Sequence, residues 1–589
     1  MKRIFTILLV LLILVGGIAG CAQPAPSMDE QPQEEEPLVS NPAEGENAAP
    51  AHDIAIVAGG ETQFVLVRPE SAGAVVKGAA VTLQEAIAET TGVTLAIEDD
   101  LAASSGNDHF EILVGTTDRP ASAMLMASFT GAAEYAVLFQ DNKLVISGQT
   151  EDGLIAAVND FVAVVSQNGK QGELTFASDF VIRTQMTNPA LEALPVFTFA
   201  EVKGTRNCGD DATMMTFESD AEGFAACLEE LKQAGFTEYA RNQIGDNLFA
   251  TYTNNHATAS VMYIPSLSSV RLVTEPVGTL PAVSPETVSA VTTPQVTMLG
   301  LEGYDTSGSP NQIGMSFLYR LSDGSFLVID GGHNQELPAQ QLYDQMVAQA
   351  PDPNTIVIAA WIFTHAHPDH SGTFTMFTSM FADKVDIELI VHNMPADTQF
   401  ITSDNPIRYR TNLISASQAY TVRGAKMMKT HPGQVLYIRD AVVEVFYTHE
   451  MQPAGDIAYF NETSLIFTVN LAGQKTMILG DCAPITSPIV TAAYGTSLKS
   501  DIVQVAHHGY QGATPELYQM IDAEYALWPG GSKAYENYHE QDYNIALLTG
   551  KSLKYWVLAE DKITVWQLPF AGDGQSYTDE EAVVVETAE

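Results

Sequence analysis

Between Thr364 and His370 the chain reads Thr-His-Ala-His-Pro-Asp-His, which puts four ligand-type side chains, His365, His367, Asp369 and His370, within six residues. Alternate side chains of an extended segment point the same way, so His365 and His367 can hold one cation. The turn imposed by Pro368 sends Asp369 and His370 toward a second. Two cations about 3.5 to 4 Å apart acidify a bridging water toward neutrality and neutralise charge on an attacked centre. The chemistry these residues imply is hydrolysis by a metal-bridging hydroxide.

Such residues need rigid elements behind them. The apolar run Thr355 to Phe363 predicts a buried strand that delivers the cluster at its C-terminal edge, where sites form in α/β folds. Three further apolar runs end in polar turns. Phe326 to Ile329 leads into Asp330-Gly331-Gly332-His333, Thr476 to Leu479 into Gly480-Asp481, and Asp501 to Ala506 into His507-His508-Gly509. His449 ends a fourth strand, Val442 to Thr448, and His431 and His392 also lie between the motifs, so His449 reads either as a ligand or as a structural residue.

In this order the motifs resemble the metallo-β-lactamase-fold hydrolases, which implies an αββα sandwich over residues 290 to 575. The run Asn461-Glu462-Thr463-Ser464, with Gly480-Asp481, VAHHG and Asn537-Tyr538-His539, is similar to the extracytoplasmic hydrolase domain of the ComEC competence protein and to the pneumococcal phosphorylcholine esterase. Both act on phosphodiester-type substrates outside the cell. The resemblance implies that His365, His367, Asp369, His370, Asp481 and a late histidine bind two divalent ions, zinc or alternatively manganese, with His449 as the doubtful further ligand. Asp330 would support the metal loop, and Asp481 would bridge the ions and, with Asp369, act in catalysis. Within the doublet His508 is favoured as the ligand and His507 as its neighbour on the substrate side. His539 or Tyr538 would hydrogen-bond substrate oxygens. Cys482, next to the bridging position, reads as a core thiol rather than a ligand.

From Ile407 to Arg439 the cations Arg408, Arg410, Arg423, Lys426, Lys429 and Arg439 occur with no acidic residue among them. They form either a patch for an anionic substrate, with Arg408, Arg410 and Arg423 its candidate contacts, or a solvated helix face. The whole chain carries 27 Lys+Arg against 72 Asp+Glu in 589 residues, a net charge of −45. That balance disfavours nucleic acid as a partner, since its grip depends on cations that displace phosphate counterions. A small or cell-wall-linked anionic ester remains the expected substrate. A ComEC-like DNA nuclease, a β-lactamase and a non-catalytic surface-binding lipoprotein are the rival readings.

The chain begins with Met1-Lys2-Arg3 and an apolar stretch from Ile4 to Val15, shorter than a spanning helix, as a secretory signal does. Ile18-Ala19-Gly20-Cys21 resembles the lipobox of bacterial lipoproteins, which implies cleavage after residue 20, acylation of Cys21 and anchoring to the cell membrane from outside. Residues 21 to 50, rich in Pro, Gln and Glu without a cation or aromatic ring, predict a disordered stalk. An α/β domain is expected over 53 to 182, with a helix from Val81 to Thr91 ended by Gly92 and a hairpin across Gln140-Asp141-Asn142. Its EILVGTTDRP run and the hairpin after it resemble an accessory domain of some extracellular glycoside hydrolases, with no catalytic role implied. A small α+β domain should occupy 190 to 278, with a capping box Ser219-Asp220-Ala221-Glu222 opening a helix that runs to Ala234 and stops at Gly235. Cys208 and Cys227 lie in it, and an oxidising compartment would permit them to pair.

Overall fold

The computed structural model describes residues 52–101, 110–129, 131–140, 142–186, 188–301, 314–395, 407–452, 457–559, 563–572 and 575–577. Cys21, the signal segment and the stalk lie outside the described residues.

The first sheet has six strands, and its central members, Val65–Arg68, Glu111–Val114 and Lys143–Gly148, run parallel. Helices Ala74–Thr91 and Glu151–Asn168 pack on one face and Pro120–Ser128 on the other. Gly92 ends the first helix in the left-handed region (φ 77°), as its position predicts. The strands Glu134–Gln140 and Lys143–Gly148 pair antiparallel as the expected hairpin, whose Asp141 lies outside the described residues.

A six-stranded antiparallel sheet follows, covered on one face by helix Ala221–Gln233. Asp220 caps that helix by accepting from the N–H groups of Glu222 and Gly223 at 3.0 Å each. Cys208 and Cys227 are unpaired and belong to separate apolar clusters on opposite faces of this sheet, which separates the two thiols.

The C-terminal part is an αββα sandwich. One sheet of nine strands contains Phe326–Asp330 and Ile356–Ile362 at its centre, and the other, of seven, contains Gln474–Ile478 and Ile502–Gln504. Apolar side chains of both sheets, among them Leu327, Ile329, Ile362, Phe467, Ile478 and Ile502, interdigitate as the central core. Helices Glu336–Gln349, Pro368–Phe381 and Ile407–Thr421 cover the outer face of the first sheet, and Thr486–Tyr494 and Pro515–Ile521 cover the second. Each sheet changes from antiparallel to parallel pairing at these central strands. The parallel strands of both sheets therefore release their C-terminal ends at one place.

The uncovered face of the middle sheet meets this sandwich through an apolar seam, where Phe249, Met262 and Ile264 join the cluster behind the second sheet, and through polar groups. Buried Arg271 donates through Nη1 to the carbonyls of Glu450 and of Gln452 (2.7 Å), and Arg206 donates to the carbonyl of His449 at 3.3 Å. Asn242 donates to the Gly433 carbonyl at 3.0 Å. A Cβ on Gly433, whose φ is 79°, would come within 1.9 Å of the Phe249 ring, so only glycine permits this approach.

Candidate metal centre

Asp330 organises the start of the site. It closes its strand at φ 52°, and its buried carboxylate accepts from the Thr364 N–H (2.8 Å) and the Thr364 hydroxyl (2.7 Å). The same carboxylate accepts from His370 Nδ1 at 2.8 Å, and the Asp330 carbonyl accepts from Trp361 Nε1 at 3.0 Å. His365 Nδ1 donates in turn to the Thr364 hydroxyl at 3.0 Å. These bonds fix which ring nitrogens carry hydrogen, leaving His365 Nε2 and His370 Nε2 directed at the centre of the cluster.

Glycines bring the later motifs in. Gly480 turns at φ 55°, and a Cβ there would meet the Thr364 side chain at 3.0 Å, so the Gly-Asp pair is a steric necessity beside Thr364. His507 and His508 both hold positive φ, 51° and 53°, before Gly509, whose Cβ would lie 2.1 Å from the Trp528 indole. Trp528 Nε1 donates to the His508 carbonyl (2.8 Å), and His508 Nδ1 donates to the Pro529 carbonyl (2.7 Å), which aims His508 Nε2 inward. Two consecutive left-handed residues without glycine are costly, and the indole and carbonyl contacts hold them there.

Two groups of donors result. Asp369, His370, Asp481 and His508 form one, and His365, His367 and Asp481 the other, with the ligand atoms of each group lying within 4.8 Å of one another. His370 Nε2 stands 3.1 Å from His508 Nε2 and 3.0 Å from Asp481 Oδ1, and His365 Nε2 stands 3.0 Å from His367 Nδ1. Asp481 Oδ1 is buried and accepts no hydrogen bond even though His370 Nε2 is so near. Nitrogen lone pairs and a carboxylate oxygen converging without hydrogen-bond geometry fit a divalent cation, and a set of imidazole and carboxylate donors without sulfur suits zinc or manganese. Burial alone would raise the Asp481 carboxyl, but His370, His508 and His507 around it hold it well below the usual carboxylate range. Burial opposes charge on His370, yet Asp481 and Asp330 raise it well above an ordinary imidazole. The same carboxylates that keep a proton on His370 favour a metal cation in its place, because proton and metal compete for one lone pair.

The site thus assembles His365, His367, Asp369, His370, Asp481 and His508, with Asp330 behind them. His507 stands beside the groups, its Nε2 3.7 Å from Asp481 Oδ2, with Nδ1 donating to the Gln511 carbonyl at 2.9 Å. Tyr510 lies against His507 and against Tyr538, with ring centroids 5.8 and 4.5 Å away. Buried Cys482 packs in the apolar cluster behind the second sheet, as a core thiol should.

Other expected residues lie elsewhere. His449 belongs to neither donor group: it sits in a short 3-10 turn at the join with the middle sheet, where burial lowers its imidazole to about 3. The strand before it ends at Tyr447, and His449 opens the 3-10 turn that follows. His539 stacks on Tyr535, 4.5 Å between centroids, and donates Nδ1 to the Tyr535 carbonyl at 2.8 Å, which turns it along its own helix. The cationic run does not converge. Buried Arg410 pairs with Asp210 of the middle sheet's hairpin, as does Lys429 at 3.0 Å. Arg439 pairs with Asp323, Glu286 and Glu388. Arg423 donates to the Val385 carbonyl at 3.3 Å, and Val385 is in register with Ile356 at the opposite end of the strand that delivers His365. Arg408 is exposed over the ring of Tyr409.

No family model matches the chain, and no curated protein is similar to it. Among solved structures it is similar to the metallo-β-lactamase fold protein YhfI from Bacillus subtilis, at 13% identity over 46% of this chain and 99% of that one, with a TM-score of 0.29. It is also similar to Zn(2+)-bound PqqB from Methylobacterium extorquens (11% identity, 36% and 72% covered, TM-score 0.24). A third likeness is to a CmlA β-hydroxylase mutant (10% identity, 48% and 55% covered, TM-score 0.28). The αββα architecture stands on the strand order and the core between the two sheets.

Proposed function

We propose that the chain is a metal-dependent hydrolase of phosphodiester or related anionic ester bonds, acting outside the cytoplasm on a lipid anchor at Cys21. One observation carries the hydrolytic reading: the two oxygens of Asp481 face different donor groups, Oδ1 toward His370 and Oδ2 toward His365 (3.8 Å), as a carboxylate shared by two ions must. Two divalent ions held there would acidify a water and draw charge off the attacked phosphorus. The chain's own residues supply orientation and proton handling. Asp330 and Thr364 lock the imidazoles, and Asp481 holds the centre between the two sheets. His507, with its Nδ1 hydrogen committed to Gln511, accepts from Asn461 at Nε2 on the partly exposed side, and once that bond yields to substrate the same lone pair can take a proton from the attacking water and pass it to the departing oxygen. Tyr510 and Tyr538 wall that side, and Tyr538 can donate to a substrate oxygen.

The test is metal analysis of the full chain in mild detergent, together with turnover of bis-aryl phosphate, aryl phosphocholine, a cephalosporin and single-stranded DNA. Metal content with turnover of the first two supports the reading. Turnover of the cephalosporin or the DNA alone selects a rival, and no turnover with no metal leaves a binding protein. Mass spectrometry should find the mature chain beginning at acylated Cys21, and an unmodified N-terminus at another residue removes the anchor.

A further inference from the structure

Asn461 lies in the 3-10 turn Phe460–Thr463, between two strands of the second sheet, and this turn is packed into the site. Phe460 lies 6.3 Å from the His367 ring, the Ser464 hydroxyl accepts from the Asp481 N–H at 3.2 Å, and the Leu465 N–H donates to the Thr364 carbonyl at 3.0 Å. Asn461 Nδ2 donates to His507 Nε2 at 3.2 Å, and that same ring nitrogen stands 3.7 Å from Asp481 Oδ2. Its other terminal atom, Oδ1, is buried and accepts no hydrogen bond. A buried carboxamide oxygen left without a donor costs free energy unless something positive faces it.

The two donor groups also differ in charge. Around His370 and His508 stand the whole Asp369 carboxylate and Asp481 Oδ1, with Asp330 hydrogen-bonded behind His370 to strengthen its basicity. Among the described residues, Asp481 Oδ2 is the one carboxylate oxygen grouped with His365 and His367, and behind His365 is the neutral Thr364 hydroxyl. The turn that packs Phe460 near His367 carries the neutral Asn461 oxygen at its next residue.

We propose that the centre holds its two ions unequally, a tight one on Asp369, His370, Asp481 and His508 and a weak one on His365, His367 and Asp481 whose coordination Asn461 Oδ1 completes. This rests on the metal-dependent reading above and adds an order to it: the tight group fills first, and the Asn461 side sets whether the second ion stays. A neutral oxygen in that place makes the second ion exchangeable with the surrounding metal supply.

Zinc titration of the metal-stripped full chain against a chromophoric chelator reads the proposal without any turnover. Two binding steps separated by at least about 10-fold in affinity are expected, the step that removal of one partner of a metal site commonly produces. Asn461→His, which puts an imidazole in the same place, should tighten the weaker step by about 10-fold or more and leave the tighter one unchanged. Asn461→Ala should weaken the weaker step alone, and Asp369→Asn should weaken the tighter step. Circular dichroism confirms that each variant is folded, and Asn461→Asp, close to isosteric, repeats the test with a charge and should also tighten the weaker step. Two equal steps in the wild-type chain, or a weaker step indifferent to all three changes at Asn461, overturn the proposal while leaving a metal centre in place. No zinc binding at all overturns the metal-dependent reading itself.

Discussion

Among the described residues lie two buried clusters of histidine and carboxylate built on opposite principles. At the join between the middle sheet and the sandwich, His431 donates Nδ1 to Glu450 at 2.9 Å and Nε2 to Glu275 at 3.2 Å, and Glu450 accepts further from Asn393 (2.9 Å) and Thr448 (2.9 Å). Every polar atom of that ring has its own partner. At the candidate metal centre the ring nitrogens point at one another and Asp481 Oδ1 accepts nothing. A closed cluster holds two parts of a protein together, whereas one whose lone pairs converge is built around a cation. The number of histidines distinguishes nothing here; the direction of their lone pairs does.

Substitutions separate the two. The largest effect is expected from Asp481→Ala, which should lower hydrolysis by at least about 100-fold with both ions lost and the circular dichroism spectrum kept, since it removes the one oxygen pair shared by both groups. Retained turnover and metal would end the comparison. Glu450→Gln should do the converse, destabilising the chain by about 3–5 kcal/mol in denaturant unfolding, the usual consequence of removing one partner of a buried pair, with metal content unchanged. Asp330→Ala, which frees His370 Nδ1, should weaken zinc binding by about 10–100-fold in a chelator competition.

A smaller effect should appear with pH. Burial opposes the His431 imidazolium, but Glu450 and Glu275 raise it to about 10, well above its value near 6.5 in an unfolded chain. Its stabilisation is therefore complete below pH 6.5 or so and is lost as pH rises through about 10. Thermal unfolding from pH 6.5 to 10 should show a falling Tm in the wild-type chain and a flatter profile in His431→Gln; parallel profiles would mean that His431 is not the titrating group. The smallest effect is expected from Arg423→Ala, which sits at the wrong end of the sheet, so KM for an anionic ester should stay within about twofold of wild type across two salt concentrations.

Much of the site was legible because its residues are close in sequence or follow apolar runs. The Thr364 to His370 cluster, Gly480-Asp481 and the histidine doublet all emerge at strand ends where the hydrophobic pattern puts them. Asp220 and Gly92 cap their helices as their types predict. The misreadings are long-range. Nothing near Arg410 in sequence announces Asp210, some 200 residues earlier, and nothing near Arg439 announces Glu286. His449 resembled a ligand because it follows a strand, yet Arg206 and Arg271 from the middle sheet claim the backbone of its turn. Strand Thr237–Ile244 escaped because its sequence, TEYARNQI, is largely polar and lies at the exposed edge of its sheet. Asn461 stood in a recognised run, but its part depends on an orphaned oxygen that only packing reveals.

The contact of Phe249 with Gly433 bears on how such a chain could be assembled by recombination. A ring seated where a methyl group would stand couples two positions 184 residues apart, so that an ordinary residue at 433 demands a smaller one at 249. Splicing the sandwich onto a foreign neighbour would expose the backbone carbonyls that Arg206 and Arg271 now occupy, and a sandwich from another lineage would arrive with the wrong residue under the ring. The smallest cassette that could pass intact between genomes therefore begins before Val202, far upstream of His365.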